Sequence, residues 1–173
     1  ILKLNLKGVH GTVAKLISVS EKHQTAIEVC AGPHLHDIIV DDDNTAKYAI
    51  EYLKREKIGR ATFLPLNRIR PVLFRENELL NKYGVIGVAS KLLKYDNKFA
   101  AAIEFVFGNT LVVDNIDAAQ SAGIGRARMV TLEGDLMERS GAMIGGHYVR
   151  THAKFVEAAT DKDIERYRTL RKE

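Results

Sequence analysis

An internal repeat is the feature of this sequence that most constrains its fold. Residues 26–32 read AIEVCAG and residues 102–108 read AIEFVFG, and a leucine follows three residues after each closing glycine. Further along, IGRATFLPL at 58–66 matches IGRARMVTL at 124–132, with five identities in nine positions. Because these features occur in the same order in both copies, the repeat predicts two related lobes.

Each copy has the pattern of a helix, a short strand, a second helix and a returning strand. Residues 25–31 and 100–107 predict the first helices, and the apolar runs after them predict short buried strands. NTAKYA at 44–49 and DAAQSA at 117–122 mark the second helices, and residues 44–56 have a clear apolar face. This alternation predicts a mixed α/β (α+β) fold with at least partly parallel strand pairing.

The helix ends carry further expectations. Asp43 or Asn44 can cap the first turn of the helix over 44–56. Gly32 and Gly108 follow the first helices, where a C-cap needs a residue with positive φ. The second helices are expected to close at Gly59 and Gly125.

The stretch between the copies, residues 65–95, contains Pro65, Pro71 and Gly84. It is expected to form a connector, followed by a short strand over 85–89 and a helical turn over 91–95.

The second copy continues with a glycine-rich stretch, GDLMERSGAMIGGHY at 134–148. Its two short apolar segments, joined by Ser140-Gly141, predict a hairpin. Glycine weakens a strand because it adds entropy to the unfolded chain and packs nothing, so four glycines suggest that another backbone comes very close. A flexible loop is the alternative. An exposed edge with Met143 and Ile144 would aggregate unless it were paired, and a second protomer could pair it.

These residues resemble the hinge domains of the SMC (structural maintenance of chromosomes) family. The resemblance rests on the glycine pattern G-x6-G-x3-G-G, the opening GVHGTVAKLISV at 8–19, and the segments AIEVCAG, IGRATFLPL and GRARMVTLEGD. His10 departs from the family pattern, in which an aromatic residue is common at that position. The resemblance covers residues 8–148 and is closest to the homodimeric bacterial and archaeal hinges.

The resemblance implies an SMC-hinge fold with coiled-coil-proximal ends. Its expected parts are an N-terminal flank (1–7), hinge subdomain I (8–84), subdomain II (85–148) and a C-terminal flank (149–173) with a helix over 160–172. It implies a homodimer that joins two coiled-coil arms, with the protomers in contact at the glycine-rich hairpin. The expected interface residues are Gly134, Leu136, Gly141, Met143, Ile144, Gly145 and Gly146.

The resemblance also implies a role in chromosome condensation and segregation. The parent protein would bind ATP and Mg²⁺ in distant head domains, where accessory regulatory subunits would assemble, and it would be cytoplasmic and nucleoid-associated. The expected role of this chain is dimerisation with non-specific DNA contact, without catalysis or a cofactor of its own.

Composition agrees with these expectations. Cys30 is the only cysteine, so an intramolecular disulfide is impossible and a reducing compartment is favoured. No apolar run approaches the ~20 residues that span a bilayer. The chain begins with Ile1, has no visible signal peptide and is expected to be part of a longer protein.

Basic residues outnumber acidic ones by 26 to 22, which permits contact with nucleic acid. Such contacts would be salt-sensitive and independent of sequence, and scattered solvated cations are the alternative. The candidate DNA-binding residues are Lys57, Arg60, Arg68, Arg70, Lys91, Lys94, Lys98, Arg126 and Arg128.

A second hypothesis is a small α/β enzyme or ligand-binding domain with a cleft between the lobes. It would need a convergent set of acid, base or nucleophile residues, and the sequence offers none. Cys30, His34 and His36 form a loose cluster that lacks the fourth ligand of a zinc site. No catalytic residue or metal ligand is therefore expected.

Overall fold

The computed structural model describes residues 1–2, 5–150 and 155–157. The helix predicted over 160–172 lies outside these residues. The first lobe contains β1 (Val9–Thr12), α1 (Val13–Leu16), β2 (Ser18–Val19), α2 (Gln24–Ala31), β3 (Ile38–Val40), α3 (Asp43–Glu56) and β4 (Phe63–Pro65).

The second lobe follows a connector that ends in a 3₁₀ turn at Asn77–Asn81. It contains β5 (Val85–Val88), β6 (Leu93–Lys94), α4 (Ala100–Phe107), β7 (Thr110–Val113), α5 (Ile116–Ala122), β8 (Arg128–Thr131), β9 (Leu136–Met137) and β10 (Met143–Ile144). A last short strand, β11, spans Val156–Glu157.

In the described residues the strands form three small sheets, in the orders β1-β3-β4, β10-β9-β8-β7-β5 and β11-β2-β6. In each lobe the strands that flank the second helix are parallel, β3 with β4 and β7 with β8. The strand that opens each lobe is antiparallel to its neighbour, β1 with β3 and β5 with β7. The predicted mixed α/β fold with partly parallel pairing is confirmed.

The repeat extends further upstream than the sequence analysis recognised. GVHG at 8–11 and GVIG at 84–87 both form the first strand of a lobe, and both strands carry a bulge before their second glycine. The stretch over 65–95, predicted as a connector with a strand over 85–89 and a helical turn over 91–95, thus ends in the first elements of the second lobe. The strand is β5, but the helical turn lies at Ala89–Leu92 and is followed by β6. The short strands β2 and β6 pair with each other across the lobes, Ser18 opposite Lys94.

The largest hydrophobic core is shared between the lobes. It unites buried residues of the first lobe, such as Ile27 and Leu64, with Phe99, Ile103 and Val112 of the second. A separate cluster lies in each lobe, around Val40 in the first and around Met129 in the second. The lobes are thus two parts of one packed unit.

Several helix ends differ from the predictions. The N-cap of α3 is Asp42 and not Asp43 or Asn44, because the Asp42 carboxylate accepts a hydrogen bond from the Thr45 N–H at 2.7 Å. The helix ends at Lys57, which has a φ of +53°, and not at Gly59. Likewise α5 closes at Gly123 and not at Gly125.

The two glycines after the first helices serve different purposes. Gly32 has a φ of +52°, as predicted, but Gly108 has a φ of −72°, so the prediction was wrong there. A Cβ atom at Gly108 would lie 2.4 Å from the Glu104 carbonyl oxygen and 2.6 Å from that of Val72. Gly108 is needed because a side chain there would clash with Glu104 of α4 and with the connector at Val72.

Candidate functional site

The glycine-rich stretch forms the predicted hairpin. Met143 lies opposite Met137 and Ile144 opposite Leu136 in antiparallel register. The Glu138 N–H donates to the Ala142 carbonyl at 2.8 Å and so aligns the two strands next to the turn. Strand β10 is the edge of the five-stranded sheet, so within the described residues its outer side has no partner strand.

The two strands of the hairpin differ in burial. Leu136 and Met137 on β9 are buried in the protomer, whereas Met143 is 50% and Ile144 59% exposed on β10. An unpaired edge strand with two large exposed apolar side chains favours association with another polypeptide.

The four glycines of the hairpin fall into two pairs. A Cβ atom at Gly134 would lie 3.1 Å from Thr25, and one at Gly145 would lie 2.4 Å from the Asp135 carboxylate, so both are tight within the protomer. Gly141 and Gly146 have φ values of +92° and +129°, and a Cβ atom there would meet nothing within 4 Å. The space beside Gly141 and Gly146 is open to an approaching chain.

Polar side chains fix the hairpin to its own lobe. The Thr131 hydroxyl donates to the Asp135 carboxylate at 3.0 Å and accepts from the Asp135 N–H at 2.9 Å. Glu138 accepts from Arg128 at 3.3 Å, and Arg139 lies 3.6 Å from Glu76 of the connector. Sequence reasoning missed these acidic residues. Asp135 and Glu138 could have been noticed by their position among the glycines, whereas Glu76 lies in the connector.

Five of the nine candidate DNA-binding cations lie close to carboxylates. Arg68 binds Asp43 at 3.0 Å, Lys91 binds Glu104 at 2.9 Å, and Lys98 lies 3.9 Å from Asp96. Arg126 binds Glu78. Arg128 is partly buried, and besides Glu138 it donates to the Cys30 carbonyl and the Thr110 hydroxyl.

The other four candidates are Lys57, Arg60, Arg70 and Lys94. All four are exposed, and none has a carboxylate within ion-pair distance in the part of the chain that the structure describes. Lys57 and Arg60 lie on the loop between α3 and β4, Arg70 lies in the connector, and Lys94 lies on β6.

The loose cysteine–histidine cluster does not assemble a reactive centre. Burial raises the pKa of the Cys30 thiol, which disfavours the nucleophilic thiolate. The His34 ring is hydrogen-bonded to the Asp37 carboxylate at 2.6 Å. Among the described residues, no three His, Cys, Asp or Glu side chains are placed to hold a metal ion. In the same residues no helix is long and apolar enough to cross a membrane.

Comparison with known proteins assigns the family. The sequence model described as the SMC proteins Flexible Hinge Domain matches residues 6–122, more than half of the chain. The chain belongs to the SMC hinge family. The match ends before β8, so the glycine-rich hairpin lies beyond it.

Curated relatives of this SMC hinge are bacterial and archaeal. It is 46% identical over 143 residues to the chromosome partition protein Smc of Aquifex aeolicus and 47% identical over 150 residues to that of Methanocaldococcus jannaschii. These alignments cover 82% and 86% of this chain but only 12% and 13% of the relatives. The chain thus spans about one eighth of their length.

Solved hinge structures share the fold. An asymmetric dimer of the Geobacillus stearothermophilus SMC hinge domain matches with a TM-score of 0.79 and 34% identity, over 98% of this chain and 67% of that one. The Pyrococcus furiosus hinge domain matches with a TM-score of 0.73 and 39% identity, over 87% and 82%. The expected bacterial or archaeal SMC-hinge fold is confirmed.

Proposed function

We propose that this chain is the homodimerisation hinge of an SMC protein, in which strand β10 and the open glycines Gly141 and Gly146 receive a second copy. The main support is that Met143 and Ile144 are exposed on an edge strand, and that the backbone at Gly141 and Gly146 has open space around it. Apolar burial would drive association, and backbone hydrogen bonds along the edge would orient it. The Geobacillus stearothermophilus relative, described as a dimer, supports this proposal.

The role of the parent protein extends the same proposal. Its relatives are chromosome partition proteins, and the hinge would join two coiled-coil arms of a chromosome-organising ATPase whose catalytic heads lie elsewhere in the parent protein. The hinge would contribute a stable connection between the arms, without a cofactor or catalytic site of its own.

Glycine substitution tests the dimer. We expect the unsubstituted chain to sediment as a dimer at micromolar concentration, and Gly141→Val or Gly146→Val to sediment as a monomer because the side chain occupies the space that the partner needs. Gly59→Val is the matched control, because Gly59 also has positive φ (+82°) and open space around a Cβ atom. Gly141 and Gly59 have similar φ values, so Gly141→Val and Gly59→Val carry similar backbone strain, of about 1–2 kcal/mol. A dimer that persists in both hairpin variants would place the interface elsewhere.

A second pair of variants separates apolar burial from backbone geometry. Ile144→Lys should dissociate the dimer because it would bury an unpaired charge. Leu73→Lys should not, although Leu73 and Ile144 are equally exposed at 59%. Equal dimer dissociation by the two substitutions would argue against a specific role of β10.

We also propose non-specific DNA contact through unpaired cations that include Arg70 and Lys94. Binding should weaken as salt rises, because each neutralised phosphate releases counterions. Lys94→Gln should reduce the slope of log affinity against log salt by up to about 0.9 for duplex DNA. Lys47→Gln is the control, since Lys47 faces Glu51 at 3.9 Å. An unchanged slope for Lys94→Gln would remove Lys94 from the contact surface.

A further inference from the structure

One short sequence occurs in both lobes with different surroundings. Residues 58–61 and 124–127 both read IGRA. In the second lobe Ile124 packs against the core and Ala127 is buried. In the first lobe Ile58 is 56% exposed, and Ala61 is exposed as well. The same four residues are therefore covered in one lobe and open in the other.

In the second lobe, the IGRA segment is covered by residues 74–79 of the connector, which include both acidic and apolar residues. Phe74 and Leu79 pack into the core cluster that also contains Ala127 and Ile124. Between them, Glu78 accepts a hydrogen bond from Arg126, and the Glu76 carboxylate lies 3.8 Å from the same guanidinium. The second lobe thus shows one way in which an IGRA segment is bound. Apolar side chains pack against it, and carboxylates pair with its arginine.

The open IGRA segment of the first lobe lies beside an apolar groove. Helix α3 has 14 residues against seven in α5, and its longer C-terminal part brings Ile50, Leu53 and Lys54 next to Gly59, Arg60 and Ala61. Leu53 is buried, while Ile50 is partly exposed.

Charge distinguishes this groove from its covered counterpart. Lys54 and Arg60 line it and have no carboxylate within ion-pair distance among the described residues. Arg126, the counterpart of Arg60, has two. The groove therefore offers an apolar surface beside two uncompensated cations.

We propose that this groove binds an acidic, apolar polypeptide segment of a partner protein. One carboxylate pairs with Arg60 and another with Lys54, while an apolar side chain packs on Ile50 and Leu53 and extends toward the exposed Ile58, which precedes Gly59 of the groove lining. Phosphate contacts with DNA need cations but no apolar surface, so the exposed Ile58 favours a polypeptide. This interaction is separate from dimerisation through β10.

The probe is a fluorescently labelled peptide with the sequence of residues 72–80, VLFRENELL, added to the intact hinge domain. Fluorescence anisotropy should show saturable binding. Arg60→Glu and Ile58→Asp should each weaken it at least about tenfold, which corresponds to about 1.4 kcal/mol. Lys47→Glu, a charge reversal elsewhere on α3, should leave it unchanged. A second peptide carries glutamine in place of both glutamates. Its affinity for the unsubstituted hinge domain should be as low as the affinity of the original peptide for Arg60→Glu.

Three results would overturn the proposal. The first is the absence of saturable peptide binding, or equal binding by Arg60→Glu. The second is dissociation of the dimer by Ile58→Asp, which would show that a second copy covers the groove. The third is an equal loss of duplex DNA binding and peptide binding in Ile58→Asp, which would identify a nucleic-acid occupant. Circular dichroism of each variant confirms folding, and dimerisation through β10 is measured separately by sedimentation.

Discussion

The guanidinium of Arg128 lies where the two lobes and the hairpin meet. It donates to the Cys30 carbonyl at the end of α2 at 3.0 Å, and to the Thr110 hydroxyl on β7 at 2.9 Å. It also binds Glu138, which follows β9. One side chain from the second lobe thus satisfies a carbonyl of the first lobe and holds the base of the hairpin.

This position predicts a structural effect of Arg128. Arg128→Met should lower the free energy of unfolding by about 2 kcal/mol, because hydrogen bonds of charged groups contribute about 1.5–3 kcal/mol and their buried partners would be left unsatisfied. Urea unfolding measures it. Arg70→Met is the control, since Arg70 is exposed and without an ion-pair partner among the described residues, and it should change stability by no more than about 0.5 kcal/mol. Equal stability of the two variants would contradict the structural role of Arg128.

The partners of individual residues could not be predicted from the sequence. In the sequence Arg126 and Arg128 are candidate DNA-binding cations, but in the structure they pair with Glu78 and Glu138, which are 48 and 10 residues away. Gly32 and Gly108 have the same place in the repeat, and only the fold shows that oxygens of Glu104 and Val72 leave no room for a side chain at Gly108, whereas a Cβ atom at Gly32 would have open space. Both distinctions depend on contacts between residues far apart in sequence.

At the scale of elements, periodicity and repetition predicted most of what the structure shows. The helices over 25–31, 44–56 and 100–107 differ from α2, α3 and α4 by at most one residue at either end. The helix caps were predicted less well, since Asp42, Asp43 and Asn44 are all capable N-caps and backbone geometry selects among them.

The missed part of the repeat has a physical explanation. In the first lobe, residues 13–16 form one turn of α-helix, whereas the equivalent Ala89–Leu92 form a 3₁₀ turn. Both turns are too short to show helical periodicity. Shared glycines and the Lys-Leu pairs at 15–16 and 91–92 were the available signals.

The hairpin illustrates the same limit for the candidate site. Four glycines predicted close approach of a backbone, but the sequence could not separate the two that are tight within the protomer from the two with open space. It also could not tell that Leu136 is buried in its own protomer while Ile144 is exposed, since both are apolar hairpin residues. Burial depends on the sheet behind the hairpin, which is built from distant strands.

At the scale of the whole molecule, duplication has produced two lobes that do not pack as separate domains. The main core draws on α2 and β4 of the first lobe and on α4, β7 and β8 of the second. The pairing of β2 with β6 adds backbone hydrogen bonds across the same junction. In the proposed role as a hinge between two arms, this arrangement means that a force applied to one lobe is resisted by the core of both.

Shared packing predicts that the two lobes unfold together. Ile27 is fully buried in the core that also contains Ile103 and Val130 of the second lobe. Ile27→Ala should lower the free energy of unfolding by about 2–5 kcal/mol. In native-state hydrogen exchange, the protected amides of β7 and β8 should lose as much protection as those of β3, because the same global opening exposes all of them. Met129→Ala provides the reciprocal measurement, since Met129 is equally buried but belongs to the second lobe's own cluster. If Ile27→Ala weakened protection in β3 and left β7 and β8 unchanged, the lobes would be independent folding units and the shared core would not couple them.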